Sequence, residues 1–189
     1  MKKHLIVLLL LISCIGCSNI NKNEINYTYE IKYENVDMSG YEGINSTNHM
    51  FKKIYLSELE NCIDNKSSGV FYFGTTMCGC CQQTIKYLDE ASRKLNVTVY
   101  YIDTFDDIEP FSGIKDCDPC KDRYDRLLKI LDQVATENED GKILETPTVF
   151  TIINGEIAAS QICMNDENEK NMVDRYTKML KPFIVENQD

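Results

Sequence analysis

The chain has 189 residues, of which 30 are acidic and 20 basic, giving a formal net charge of −10. That length holds one ordinary domain with a real core plus a leader, and the acidic balance argues against binding a phosphate backbone, which needs basic clusters. Nine cysteines are many for this size, and the sequence offers no internal repeat, phosphate-binding glycine loop or Ser-His-Asp arrangement.

Met1-Lys2-Lys3-His4 is a basic start, and the apolar run Leu5 to Ile12 is closed by small residues and cysteine. This is a secretory signal pattern, well short of the ~20 apolar residues that span a bilayer. Export would let oxidised cysteine pairs persist. Asn19 to Glu24 is polar and fits a tether. Ile25 to Tyr33 alternates with period two, as a half-buried strand or an extended segment lying on the domain does. Asp37 to Asn48 is turn-rich and reads as linker, and Phe51 to Leu56 reads as a first strand. Ser57, with Glu60 three residues on, makes a capping-box pattern opening a helix whose inner face is Leu59, Cys62 and Ile63.

Val70 to Phe73 is nearly continuous in apolar residues, as a central strand should be. It runs into Met77-Cys78-Gly79-Cys80-Cys81, after which Ile85, Leu88, Ala91 and Leu95 recur at helical spacing. Val97 to Ile102 is β-branched and aromatic, hence a strand. Asp103 to Pro110 is acidic and irregular, and a helix is predicted from Lys121 to Thr136, closed by Glu137 to Gly141. Thr146-Pro147 precedes a strand from Thr148 to Ile153, Asn154-Gly155 is a hairpin signal, and Glu156 to Ile162 returns antiparallel. A terminal helix is expected from Asn168 to Val185.

The cysteines carry the chemistry. Cys78 falls on the first turn of a helix leaving a buried strand, where backbone N–H groups and the helix dipole favour thiolate over thiol. A thiolate there attacks disulfides, and Cys81, three residues on, can release the mixed disulfide. Cys80 is a third thiol inside the motif, able to compete with Cys81 or to join a metal or persulfide site. Cys117-Asp118-Pro119-Cys120 is a second C-x-x-C, read either as a local disulfide or as an accessory redox pair. Cys78, Cys81, Cys117 and Cys120 together have the composition of a Cys₄ zinc site, but long separation and export weigh against it, and no metal is assigned. Cys62 reads as a small buried hydrophobe, and Cys163 has no assignable partner.

Two resemblances follow from these residues. Leu11-Ile12-Ser13-Cys14-Ile15-Gly16-Cys17-Ser18 resembles the lipobox of bacterial lipoproteins, which implies lipidation at Cys17, with Cys14 the alternative. Residues 1–16 would then be signal peptide, 17–48 a tether and N-terminal extension, and 49–189 the domain. With Cys17 lipidated the mature chain keeps seven cysteines, an odd number.

The Phe71-Tyr72-Phe73 strand, Cys78 to Cys81, Thr146-Pro147-Thr148 and the Asn154-Gly155 hairpin, in that order, are similar to the thioredoxin-like superfamily. The long insert and the leader are similar to secreted members known as bacteriocin transport accessory proteins. The superfamily resemblance implies an α/β fold: a central mixed sheet of four to five strands flanked by helices, with a helical insert before the cis-proline strand. It implies Cys78 as attacking and Cys81 as resolving thiol, Pro147 as the cis-proline, and Thr146, Met77 and Gly79 as contacts for an extended substrate segment. It also implies no cofactor. Partners would be protein or peptide disulfides, a redox partner at the membrane and the membrane itself through the lipid anchor, on the extracytoplasmic face. No nucleic acid is expected. Three departures stand out: Met77 replaces a common tryptophan, Tyr72 stands where many thioredoxins have a buried acid, and Cys80 replaces the usual proline. The competing readings are a non-enzymatic accessory lipoprotein for peptide export and a copper or zinc chaperone using Cys78, Cys80 and Cys81 as soft ligands.

Overall fold

The structure is a computed structural model that describes residues 25, 27, 29–104, 125–139, 141–163 and 169–184. Its strands and helices, in chain order, are β1 (Glu34–Asn35), β2 (Phe51–Lys53), α1 (Leu56–Asp64), β3 (Gly69–Gly74), α2 (Gly79–Leu95), β4 (Val99–Asp103), β5 (Thr136–Asn138), β6 (Gly141–Ile143), β7 (Thr148–Ile153), β8 (Glu156–Ile162) and α3 (Glu169–Leu180). A short 3₁₀ turn, Lys181–Phe183, follows α3.

The main sheet has six strands in the order β1-β2-β4-β3-β7-β8, where four to five were expected; the two-residue β1 is the added edge. β2, β4 and β3 run parallel, while β7 and β8 are antiparallel to their neighbours. Every residue of β3 is buried, which is why its sequence is apolar on both sides rather than alternating. Asn154 and Gly155 both have positive φ, 55° and 83°, giving the tight β7–β8 turn their sequence predicts. α2 ends at Asn96 in the left-handed conformation, its N–H returning to the Arg93 and Ser92 carbonyls.

Alternate strand residues feed two cores. Phe71, Phe73, Ile102, Phe150 and Ile152 pack under α1 and residues 125–134, contributing with Leu56, Leu59, Leu127 and Leu131. Val70, Tyr72, Val99, Tyr101 and Val149 pack under α2 and α3, against Ile85, Leu88, Met172, Tyr176 and Leu180.

Three expectations change, and of the two readings of Ile25 to Tyr33 the extended one holds for residues 29–33. α1 starts at Leu56 behind an N-cap Tyr55 that makes no side-chain cap, so Ser57 lies inside the helix. The nearby carboxylate that matters is Glu58: it accepts from the Tyr29 hydroxyl at 2.8 Å and the Lys32 N–H at 2.7 Å. Those bonds hold residues 29–33 against α1 as an extended segment rather than a paired strand. The predicted helix to Thr136 is helical over residues 125–130 and has left helical geometry by Thr136, which opens the β5–β6 hairpin. There the Thr136 hydroxyl donates to Glu145 Oε1 at 2.9 Å, just past β6. Residues 37–48 do carry turns, but they also insert Met38 and Tyr41 into the core, both almost fully buried.

Candidate functional site

The carboxyl end of β3 delivers Cys78 to the start of α2. Residues Thr75 to Cys78 form a turn closed by the Cys78 N–H on the Thr75 carbonyl, 3.2 Å. Cys78 is itself the N-cap of α2: its Sγ accepts the Cys81 N–H at 3.3 Å. In its thiol form the same sulfur donates to the Thr146 carbonyl, 3.4 Å away. The Thr146–Pro147 peptide is cis, as the resemblance implies, and Pro147 is buried. Helix start and Thr-Pro loop therefore meet at one sulfur atom, contributed by residues 68 positions apart.

The two motif thiols have opposite electrostatics. Partial burial works against a charged Cys78, but hydrogen bonds from the Cys81 thiol and from the Cys81 and Cys80 N–H groups outweigh it and bring its pKa below the usual 9.0. Cys81 is fully buried; that burial first, and then the neighbouring Cys78, push its pKa up to about 12. Thiolate is thus favoured at Cys78 and disfavoured at Cys81. Both are free thiols.

Around them the surface is open. Met77 is 73% exposed immediately before Cys78, and a side chain at Gly79 would meet no heavy atom within 4 Å. Gln82, one turn into α2, donates to the Thr76 carbonyl at 2.7 Å and the Gly40 carbonyl at 2.9 Å, and accepts from the Glu42 N–H at 2.9 Å. It thus fastens the loop before Cys78 to residues 40–42. No sequence signal marks Gln82 for this. Tyr41, also not anticipated, bonds through its hydroxyl to that of Tyr101, 3.2 Å apart, in the core beneath Cys81.

Cys80 does not stand free beside Cys81. It forms a disulfide with Cys163, with a Cα–Cα separation of 6.2 Å. Cys163 directly follows β8, whose last residue Ile162 pairs with Thr148 next to Pro147. In this state Cys80 is withdrawn from the roles of competing thiol and third metal ligand. Cys62 is a fully buried free thiol in the α1 core, as its helix face predicts; burial pushes its pKa up to about 11. Cys14, Cys17, Cys117 and Cys120 lie outside the described residues. Among the described residues no group of three metal-ligating side chains occurs, and no helix is long and apolar enough to cross a membrane. A tyrosine-rich cavity of 670 Å³ lies at the opposite end of β3, lined by Tyr27, Tyr29, Tyr33 and Tyr100 together with Gly69 and Val70, and it contains no thiol.

A mixed sheet with this strand order, a cysteine pair at the start of the helix after the central strand, and a cis Thr-Pro loop facing it define a thioredoxin-like fold. Solved structures similar to this chain include oxidised thioredoxin O2 from Arabidopsis thaliana, at 18% identity over 72% of this chain and 96% of that one, TM-score 0.43. A reduced thioredoxin pre-protein from Schistosoma mansoni matches at 16% identity over 70% and 99%, TM-score 0.41. Thioredoxin from Trypanosoma brucei brucei matches at 13% over 68% and 89%, TM-score 0.41. No protein-family model and no curated protein matches the chain. The strand order and the loops around Cys78, rather than these superpositions, define the fold.

Proposed function

We propose that this chain is a thiol–disulfide oxidoreductase that works outside the cytoplasm, held at the membrane by a lipid on Cys17 or Cys14. The observation that carries the reading is the placement of Cys78 Sγ, half-exposed, between the Cys81 N–H and the Thr146 carbonyl. In the reductive direction the Cys78 thiolate attacks one sulfur of a substrate disulfide, forming a mixed disulfide and expelling the other sulfur as thiolate. Cys81, losing its proton, then attacks Cys78 Sγ; a Cys78–Cys81 disulfide forms and the substrate's second sulfur leaves reduced. Oxidation of a substrate dithiol is the microscopic reverse. Thr146 and Pro147 would offer backbone to an extended substrate segment, with Met77 and Gly79 flanking it, and Cys117 and Cys120 supply a second C-x-x-C dithiol for exchange. No organic cofactor enters either step.

A Cys78→Ser variant is expected to lose turnover of insulin disulfides completely; turnover equal to wild type would refute the assignment. The reading as a non-enzymatic accessory lipoprotein draws support from the Cys80–Cys163 crosslink, a pair beside the motif with an evident structural use. Redox titration separates the two: a Cys78–Cys81 pair poised at about −200 mV supports exchange, and one resistant below about −300 mV supports structure.

A further inference from the structure

Cys80 and Cys163 share a bond that the exchange chemistry leaves unused, and it joins the two pieces of chain that meet at Cys78. Cys80 stands in the first turn of α2, two residues past Cys78, and its partner Cys163 directly follows β8. Ile162, the last residue of β8, pairs with Thr148, which follows the cis Thr146–Pro147 peptide. The Thr146 carbonyl returns to Cys78 Sγ at 3.4 Å. From Cys78 through the crosslink to Thr148 and back to Cys78, no covalent stretch along the chain exceeds two residues.

The two sides of this circuit are held differently. The loop side is fixed in the sheet: Thr148 pairs with Phe73 of β3 as well as with Ile162, and its hydroxyl donates to the Glu145 carbonyl at 2.6 Å. The helix side is tied elsewhere, since Gln82 fastens the start of α2 to the Gly40 and Thr76 carbonyls. Between the two sides lie the Cys78–Thr146 contact and the crosslink. A thiol is a weak hydrogen-bond donor, so the first holds little and the second sets the spacing. That spacing is where an extended segment must lie to reach Cys78 and the Thr146 backbone together.

The crosslink is also within reach of solvent. Cys80 and Cys163 are both partly exposed, whereas Cys62 and Cys81 are buried.

We propose that the Cys80–Cys163 disulfide is a redox latch that sets the gap between Cys78 and the Thr146–Pro147 loop. Closed, it keeps an extended peptide disulfide in register with Cys78; opened by a dithiol, it gives up that register. This rests on the exchange reading above and deepens it, making Cys80 and Cys163 positioning residues for peptide substrates. Opening is itself disulfide exchange. One thiolate of the dithiol attacks a sulfur of the crosslink, and its second sulfur displaces the first. Two electrons and two protons pass to Cys80 and Cys163, which become thiols, and the dithiol leaves as a disulfide.

The test compares two reagents on one sulfur. Full-length protein carries Cys81→Ala in every sample, which keeps Cys78 a free thiol and stops Cys81 from resolving its adducts. The initial rate of adduct formation on Cys78 is read by acid quench and peptide mapping. One reagent is hydroxyethyl disulfide, which has no peptide backbone; the other is a linear peptide dimerised through a central cysteine. With Cys80→Ser and Cys163→Ser added, the hydroxyethyl rate should stay within about twofold while the peptide rate falls about 10-fold, the worth of one or two backbone hydrogen bonds. Crosslinked chain opened with dihydrolipoamide should match the serine variant, and reoxidation should restore the peptide rate. A peptide-to-hydroxyethyl ratio that holds or rises, even if both rates fall together, overturns the latch alone. A crosslinked chain that forms no Cys78 adduct with either reagent overturns the exchange reading and the latch with it. Should the serine variant not fold, the dihydrolipoamide-opened chain supplies the same comparison, with a lowered ratio supporting the latch and an unchanged one overturning it.

Discussion

The two faces of the main sheet are made by alternate residues of the same strands, and they differ in kind. Under α1 the face is mostly hydrocarbon: Phe71, Phe73, Ile102, Phe150 and Ile152, with Phe71 and Phe150 stacked at 5.3 Å, a partly buried Tyr100, and Thr148, whose hydroxyl donates to the Glu145 carbonyl. Under α2 and α3 the same strands present Tyr72 and Tyr101, joined there by Tyr41 and Tyr176, and it is this face that holds Cys81. Shape and dispersion do most to hold the first face. The second must also satisfy hydroxyls, and it does so for the Tyr41–Tyr101 pair but not for Tyr72. One face is built for cohesion; the other surrenders some cohesion to keep polar atoms beside a buried sulfur.

This contrast can be broken experimentally. The largest effect expected is between the thiols themselves. Alkylation by iodoacetamide, mapped by mass spectrometry, should label Cys78 with a midpoint below pH 9, whereas Cys81 stays silent until close to pH 12. The sign follows from the reactive thiolate appearing as pH rises through each pKa, so at neutral pH Cys78 carries far more thiolate than Cys81. Coincident midpoints would erase the distinction between attacking and resolving thiol.

Next in size is Phe150→Ala, which empties the hydrocarbon face. It should cost about 3–5 kcal/mol in urea unfolding while leaving the alkylation midpoint of Cys78 in place, since Phe150 and Cys78 lie on opposite faces. A shifted midpoint would show the faces to be coupled. Tyr101→Phe leaves the Tyr41 hydroxyl without its partner and should cost about 1–3 kcal/mol. Smallest is Tyr72→Phe: its hydroxyl has no bond to lose, so stability should move by less than about 1 kcal/mol in either direction. A larger loss would mean that Tyr72 Oη is already paired.

How far the sequence reaches also differs between regions. β3, α2, the Thr-Pro loop and the β7–β8 hairpin are legible because each rests on a local cause: continuous burial, helical spacing, a fixed proline φ, or positive φ at Asn154 and Gly155. The placement of Cys78 follows from that order of elements. What stayed illegible is non-local. The Cys80–Cys163 pairing joins residues 83 apart through a geometry that spacing does not encode. Gln82 gains its role only because residues 40–42 fold back over it, and those residues read as linker by their turn content. Tyr101 carries a weaker trace: as a period-two neighbour of Val99 in a strand beside β3 it had to face the same side as Tyr72, so a shared tyrosine layer was derivable once β3 and β4 were paired. The β5–β6 hairpin was hidden by apolar spacing in residues 127–134 that continued a helical pattern up to Thr136.

The crosslink from Cys80 to Cys163 has a thermodynamic corollary. It ties the opening turn of α2 to the residue just past β8, closing a ring of chain that contains β4, β7 and β8. A ring of that size restricts the unfolded chain by about 4–5 kcal/mol in the chain-entropy account. Heat tolerance should therefore track the ambient thiol reductant, so that the same polypeptide melts at one temperature in air and at a lower one in dithiothreitol.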